Sequence, residues 1–215
     1  MILSRDRGLI FVHIPKTGGT SLAHALEARA TATDILIGDT PKARRRRGRV
    51  TRLRGQARGR LWKHSTLKDI DGLLTPDDIT AMFTVTLVRN PWDRMVSYYT
   101  WARAQDFDHP AVRLAKTCDF EGFVAAPETR AAWAAQPARH YMTAADGQEY
   151  ARLYIRLEHF EAEAAPLWDH LGFRLDLPHL NASARGAYRA QYSDRSAAIL
   201  ADIAAEDIAR FGYSF

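Results

Sequence analysis

Between Pro15 and Ser21 the chain reads Pro-Lys-Thr-Gly-Gly-Thr-Ser, which gathers one ammonium group, three hydroxyls and two adjacent glycines into seven residues. That set suits an anion with several oxygens. Gly18 and Gly19 admit backbone conformations closed to residues with a Cβ, so successive N–H groups can turn toward one phosphate while Lys16 adds a charge. Thr17, Thr20 and Ser21 can add hydroxyl donors. A second candidate set starts at Arg89, in Arg-Asn-Pro-Trp-Asp-Arg-Met-Val-Ser, with Ser97 one to two helical turns further on. For proton transfer, histidine is the commonest group near neutral pH. Of the eight histidines, His64 follows a basic run and precedes an expected helix, and His13 lies inside an apolar stretch, where a satisfied core residue is the commoner outcome. His140 and His179 are reserve candidates. His24, His109, His159 and His170 read as surface or packing residues.

These groups need elements to position them. Leu9–Ile14 is a short apolar run ending at Pro15, and a helical pattern continues from Ser21 to about Ala30 with Leu22 and Leu26 inward. The order is strand, loop, helix, which brings an anion to the positive end of a helix. Met82–Val88 reads as a second buried strand, and Pro91 fits the first turn of the helix after it, where its missing N–H costs nothing. Strands feeding helices in this way point to an α/β fold.

An ATP or GTP loop of the common kind places its lysine after the glycines, as G-x-x-x-x-G-K-[ST], whereas Lys16 precedes Gly18 and Gly19. The order Pro15 to Ser21 instead resembles the 5′-phosphosulfate loop of sulfotransferases that use 3′-phosphoadenosine 5′-phosphosulfate (PAPS) as donor. The segment from Arg89 to Tyr99 resembles the 3′-phosphate motif of the same family. The resemblance is closest to the carbohydrate, Golgi-type, sulfotransferase family 2-like branch. It implies a P-loop-like three-layer fold, a central parallel sheet flanked by helices. It also implies a donor site from Pro15, Lys16, Thr17, Gly18, Gly19, Thr20 and Ser21 at one end and Arg89 and Ser97 at the other. In carbohydrate-type members a histidine or acid between the two motifs is the base, which here selects His64. Gln136–Tyr141 resembles an acceptor-side segment. Leu177–Ser183 with Arg185, Tyr188, Arg189 and Tyr192 resembles the loop that closes over nucleotide and acceptor, making Asn181, Arg185, Tyr188 and Arg189 candidate contacts. The ending Arg210–Phe215 also resembles family members. The scheme requires no metal.

With 215 residues, 47% of them hydrophobic, the chain can bury the core of one α/β domain, and a single sulfotransferase domain over 1–215 is expected. Its one cysteine, Cys118, forms no internal disulfide and favours a reducing compartment. The first strand starts within ten residues and no apolar run approaches a bilayer span, so the reading is a soluble, cytoplasmic form without the membrane anchor of Golgi relatives. The formal charge of +5 is unevenly spread, because Lys42–Arg60 holds one lysine, nine arginines and no acid, and the rest of the chain carries −5. That Arg-rich insertion, at about 41–60, has almost no apolar residues. It reads as a mobile solvated segment, as a surface for an anionic acceptor or nucleotide, or as a nucleic-acid contact, the last disfavoured by its lack of aromatics.

Further along, Thr75-Pro76-Asp77-Asp78 signals a helix start. Helices are expected from Asp93 to about Gln105, over Pro110–Lys116, Asp119–Ala125 and Glu158–Leu171, and from Ser193 to about Arg210. Arg152–Leu157 alternates like a strand, and Asp34–Ile37 is long enough for a short one. Trp92, Tyr98 and Trp101 are either core or ligand-facing. The leading expectation is sulfuryl transfer from PAPS to a hydroxyl of a carbohydrate or similar metabolite. Its rivals are a nucleotide-dependent kinase, which needs magnesium ligands, and a non-catalytic module binding nucleic acid or another polyanion through the arginines.

Overall fold

The computed structural model describes residues 1–176 and 187–215. The chain divides into two compact units, Met1–Val88 with Ala138–Leu180, and Arg89–Pro137 with Asn181–Phe215.

The first unit holds the whole five-stranded sheet, in the order β3-β1-β2-β4-β5. Its strands are β1 (Ile2–Ser4), β2 (Leu9–Val12), β3 (Ile35–Leu36), β4 (Phe83–Val88) and β5 (Leu153–Arg156). β2, β4 and β5 run parallel, with Val12 opposite Thr86 and Thr86 opposite Tyr154. β1 departs from the expected all-parallel sheet, because it pairs antiparallel with both β2 and β3. A four-residue turn from Arg5 to Gly8 joins β1 to β2, and so short a link can only reverse direction. The remaining architecture is the α/β, P-loop-like three-layer arrangement expected.

β2 and β4 are buried on both faces, the mark of strands that helices and loops cover above and below. One face, with Leu9, Phe11, Val85, Leu87 and Ile155, packs on α1 (Gly19–Ala28) through Leu22 and Leu26 and on Phe160, Leu167 and Trp168. Ile10 and Val12, on the other face, are equally sealed from solvent. The stretch expected as one helix over Glu158–Leu171 is divided at Ala164 into Phe160–Glu163 and Ala165–Leu171. Pro166, which lacks an N–H, enters the second piece in its first turn.

The Arg-rich segment folds into α2 (Pro41–Arg45) and α3 (Arg47–Leu53), helices that its composition did not announce, and most of its arginines are exposed, as the solvated reading has it. Thr40 caps α2 and donates its hydroxyl to the buried Glu27 carboxylate at 2.6 Å. Ala43 and Val50 are buried. Arg46 donates to the Thr31 carbonyl at 2.6 Å, and Arg49 to those of Ala32 and Asp34 at 2.6 and 3.1 Å. Arginine here serves as a multi-donor clamp on loop carbonyls, a role that a count of apolar residues does not register. α4 (Pro76–Ala81) begins as expected, with a reciprocal capping box between Thr75 and Asp78.

The second unit is helical. α5 (Pro91–Arg103) buries Trp92, Met95, Tyr99 and Ala102 against Phe120, Phe123, Val124 and Leu200. Helices Pro110–Thr117 and Phe120–Ala125 lie where the pattern placed them. The C-terminal helix, capped by Ser193 as expected, stops at Ile203 and resumes at Ala205. Among the described residues no helix is long and apolar enough to cross a membrane.

Candidate functional site

The Pro15–Ser21 loop leaves the C-terminal end of β2, beside the parallel end of β4. Its two glycines are required for different reasons. Gly18, at φ 81°, is the N-cap of α1, and a Cβ there would also come within 2.7 Å of the Leu157 side chain. Gly19 has ordinary φ, but its Cβ would lie 2.7 Å from Nε2 of His13. Lys16 adopts φ 66°, alone among the non-glycine residues described, and such strain persists only where the surroundings impose it. Thr17 is buried and donates its hydroxyl to the Ile14 carbonyl at 2.9 Å, so that hydroxyl braces the loop. Gly18 has no side chain to cap α1, and the Ser21 N–H turns back onto the Gly18 carbonyl at 3.1 Å. The positive end of the α1 dipole lies at this loop.

Beside the loop stand two imidazoles from distant positions. The His64 Nδ1 lies 2.8 Å from the His13 carbonyl oxygen. A carbonyl only accepts, so Nδ1 carries the proton and Nε2 holds the lone pair. The His64 ring meets the His13 ring edge-on at 4.6 Å and Trp62 at 5.0 Å. Burial brings its pKa down to about 3, the His13 carbonyl opposes this, and the Lys63 ammonium adds to the lowering. His13 is likewise held well below the ordinary histidine range, chiefly by burial and further by His64, Lys63 and Lys16. Both rings are therefore neutral at pH 7. Lys63 in turn pairs with Asp39 at 2.7 Å.

Arg89 opens the second unit, and its guanidinium donates to one Asp93 oxygen from Nε at 2.8 Å and from Nη2 at 2.7 Å. Asp93 orients the group through these two donors. Ser97 stands one helical turn beyond Asp93 on the same face of α5 and is half-buried. Asn90 caps α5 and donates its amide to the Ser214 carbonyl at 3.0 Å, which ties the C-terminal residues to this motif. Trp92 is core, with its indole N–H on the Ala197 carbonyl at 3.1 Å. Tyr192 donates its hydroxyl to the Trp92 carbonyl at 2.9 Å.

The reserve base His140 is exposed against Tyr141. His179, Asn181 and Arg185 lie outside the described residues. His109 caps a helix and His170 stacks on Phe83, the packing roles expected of them. Sequence reading passed over Trp62 and Arg60. Trp62 is 40% exposed, an uncommon state for an indole. The Arg60 guanidinium lies over its ring at 5.0 Å from the centroid. The available signal was the Arg-x-Trp-x-His spacing at Arg60–His64.

A family model described as the sulfotransferase family matches residues 1–214. The chain belongs to the sulfotransferase family. No curated protein matches it. Membership in the sulfotransferase family makes this chain a transferase of sulfuryl groups to a hydroxyl acceptor.

Proposed function

We propose that this sulfotransferase takes its sulfuryl group from PAPS and passes it to a hydroxyl of a carbohydrate. The observation that carries the reading is the parallel pairing of β2 with β4, whose C-terminal ends lead at once into the Pro15–Ser21 loop and the Arg89 motif. In this reading the α1 N-terminus and Lys16 hold the 5′-phosphosulfate, with Pro15, Thr17, Gly18, Gly19, Thr20 and Ser21 shaping the cradle. Arg89 and Ser97 bind the 3′-phosphate, and Arg185 joins the donor contacts.

The reaction is an in-line displacement. The acceptor oxygen attacks sulfur as the S–O bond to the 5′-phosphate breaks, and 3′-phosphoadenosine 5′-phosphate leaves with the electron pair. His64 takes the hydroxyl proton on Nε2. Lys16 neutralises charge growing on the departing phosphate, an interaction that gains strength in the transition state and so acts on kcat. A neutral imidazole with pKa about 3 is a weak base, but a polyanionic donor alongside raises the pKa of any neighbouring base. Exposed Trp62 offers a sugar ring an apolar face next to that base.

Calorimetry with 3′-phosphoadenosine 5′-phosphate against adenosine 5′-phosphate and ATP tests the donor. Selective binding of the 3′-phosphorylated nucleotide is expected, and equal affinity for nucleotides lacking that phosphate would overturn the reading.

A further inference from the structure

His13 is 7% exposed, and its ring hydrogen-bonds to no described residue. Its ring nitrogens are left to serve another group, which an apolar side chain of similar shape could not do. Its position gives the reason. The Cδ2–Nε2 edge faces Gly19, the first residue of α1, so closely that a Cβ there would sit 2.7 Å from Nε2. Phe11 stacks beneath the ring at 5.9 Å and His64 closes it edge-on at 4.6 Å, which holds the ring in place. The absence of a side chain at Gly19 therefore admits this ring edge to the N-terminus of the helix.

We propose that His13 is a ligand of the sulfuryl group itself, donating its Nε2–H to a sulfuryl oxygen held at the start of α1. The inference rests on the donor reading above. The two imidazoles then divide the work. His64 is fixed as an acceptor by its Nδ1–H bond to the His13 carbonyl, and His13 in the Nε2–H form is a donor. Burial and the nearby Lys16 and Lys63 ammonium groups hold His13 neutral. A neutral donor polarises the S–O bonds without delivering a proton to the leaving group.

The test is calorimetry of the whole chain without acceptor, comparing PAPS with 3′-phosphoadenosine 5′-phosphate, which keeps both phosphates and lacks the sulfuryl group. In His13→Phe, which preserves an aromatic ring against Phe11, PAPS affinity should fall about tenfold or more, the scale of a hydrogen bond to a charged group. Affinity for the desulfated nucleotide should change little, and His13→Asn should restore part of the loss. Equal losses for both nucleotides, or none, would overturn the inference while leaving the donor reading standing. A wild-type chain that binds neither nucleotide would overturn both. Nitrogen NMR on the unmodified protein is independent of the variants' folding. The His13 Nε2 resonance should shift on adding PAPS and stay in place with the desulfated nucleotide, and a stationary resonance with PAPS would count against the contact.

Discussion

The His64 imidazole and the His13 backbone carbonyl, 51 positions apart in sequence, meet at 2.8 Å, and this bond decides which nitrogen of His64 keeps its lone pair. Because the carbonyl only accepts, the lone pair resides on Nε2. The residue that fixes the His64 tautomer is also the residue whose ring packs against Gly19, the first residue of α1.

His64→Ala is expected to lower kcat by about 100-fold or more, within the range of general-base contributions, with little change in nucleotide affinity. Steady-state kinetics and calorimetry on the same preparation check this. A near-normal kcat would return the role to His140, His179 or an acid.

The acid limb of kcat/KM for PAPS, which reports the donor-free protein, should lie below the ordinary histidine range. A base must be deprotonated to act, and His64 in the free protein keeps its lone pair down to a pKa of about 3. A limb near pH 6.5 would identify a different base.

Stability should fall as pH drops below about 6.5. Both His13 and His64 have depressed folded-state pKa values, so the unfolded chain binds more protons below its own histidine pKa. Each such group contributes a slope of up to about 1.4 kcal/mol per pH unit, from 6.5 down to its folded pKa. Denaturant midpoints between pH 7 and 4.5 should show it, and His64→Gln should flatten the slope.

Gly19→Ala should be costly even though its φ is ordinary, since the added methyl meets the His13 ring. Loss of about 1–3 kcal/mol of stability, the scale of overpacking, should accompany weaker nucleotide binding. Gly48→Ala, where a Cβ meets nothing within 4 Å, is the neutral control.

Arg89→Ala should reduce affinity for 3′-phosphoadenosine 5′-phosphate by about 10–100-fold, as a lost charge-assisted bond does, and leave adenosine 5′-phosphate almost unaffected. Asp93→Asn should give a smaller loss of the same selectivity, because Asp93 aims the guanidinium. Calorimetry with the two nucleotides separates the effects.

Much of this protein was legible from local pattern. The glycines, the lysine before them, and the Asn90-Pro91 helix start are short-range signals, since caps, turns and anion loops are built from residues close in sequence. Thr75 and Ser193 were readable as caps for the same reason. Tertiary structure alone decided what depends on contacts between distant residues. It showed that β1 runs antiparallel and that Arg46 and Arg49 clamp loop carbonyls. It also turned the Thr17 hydroxyl inward and brought His13, Trp62 and His64 together. A sequence pattern records which faces are apolar and which donors are present. Only the folded chain determines which donor finds which acceptor, because burial makes an unpaired polar group expensive and so selects the partner across the fold.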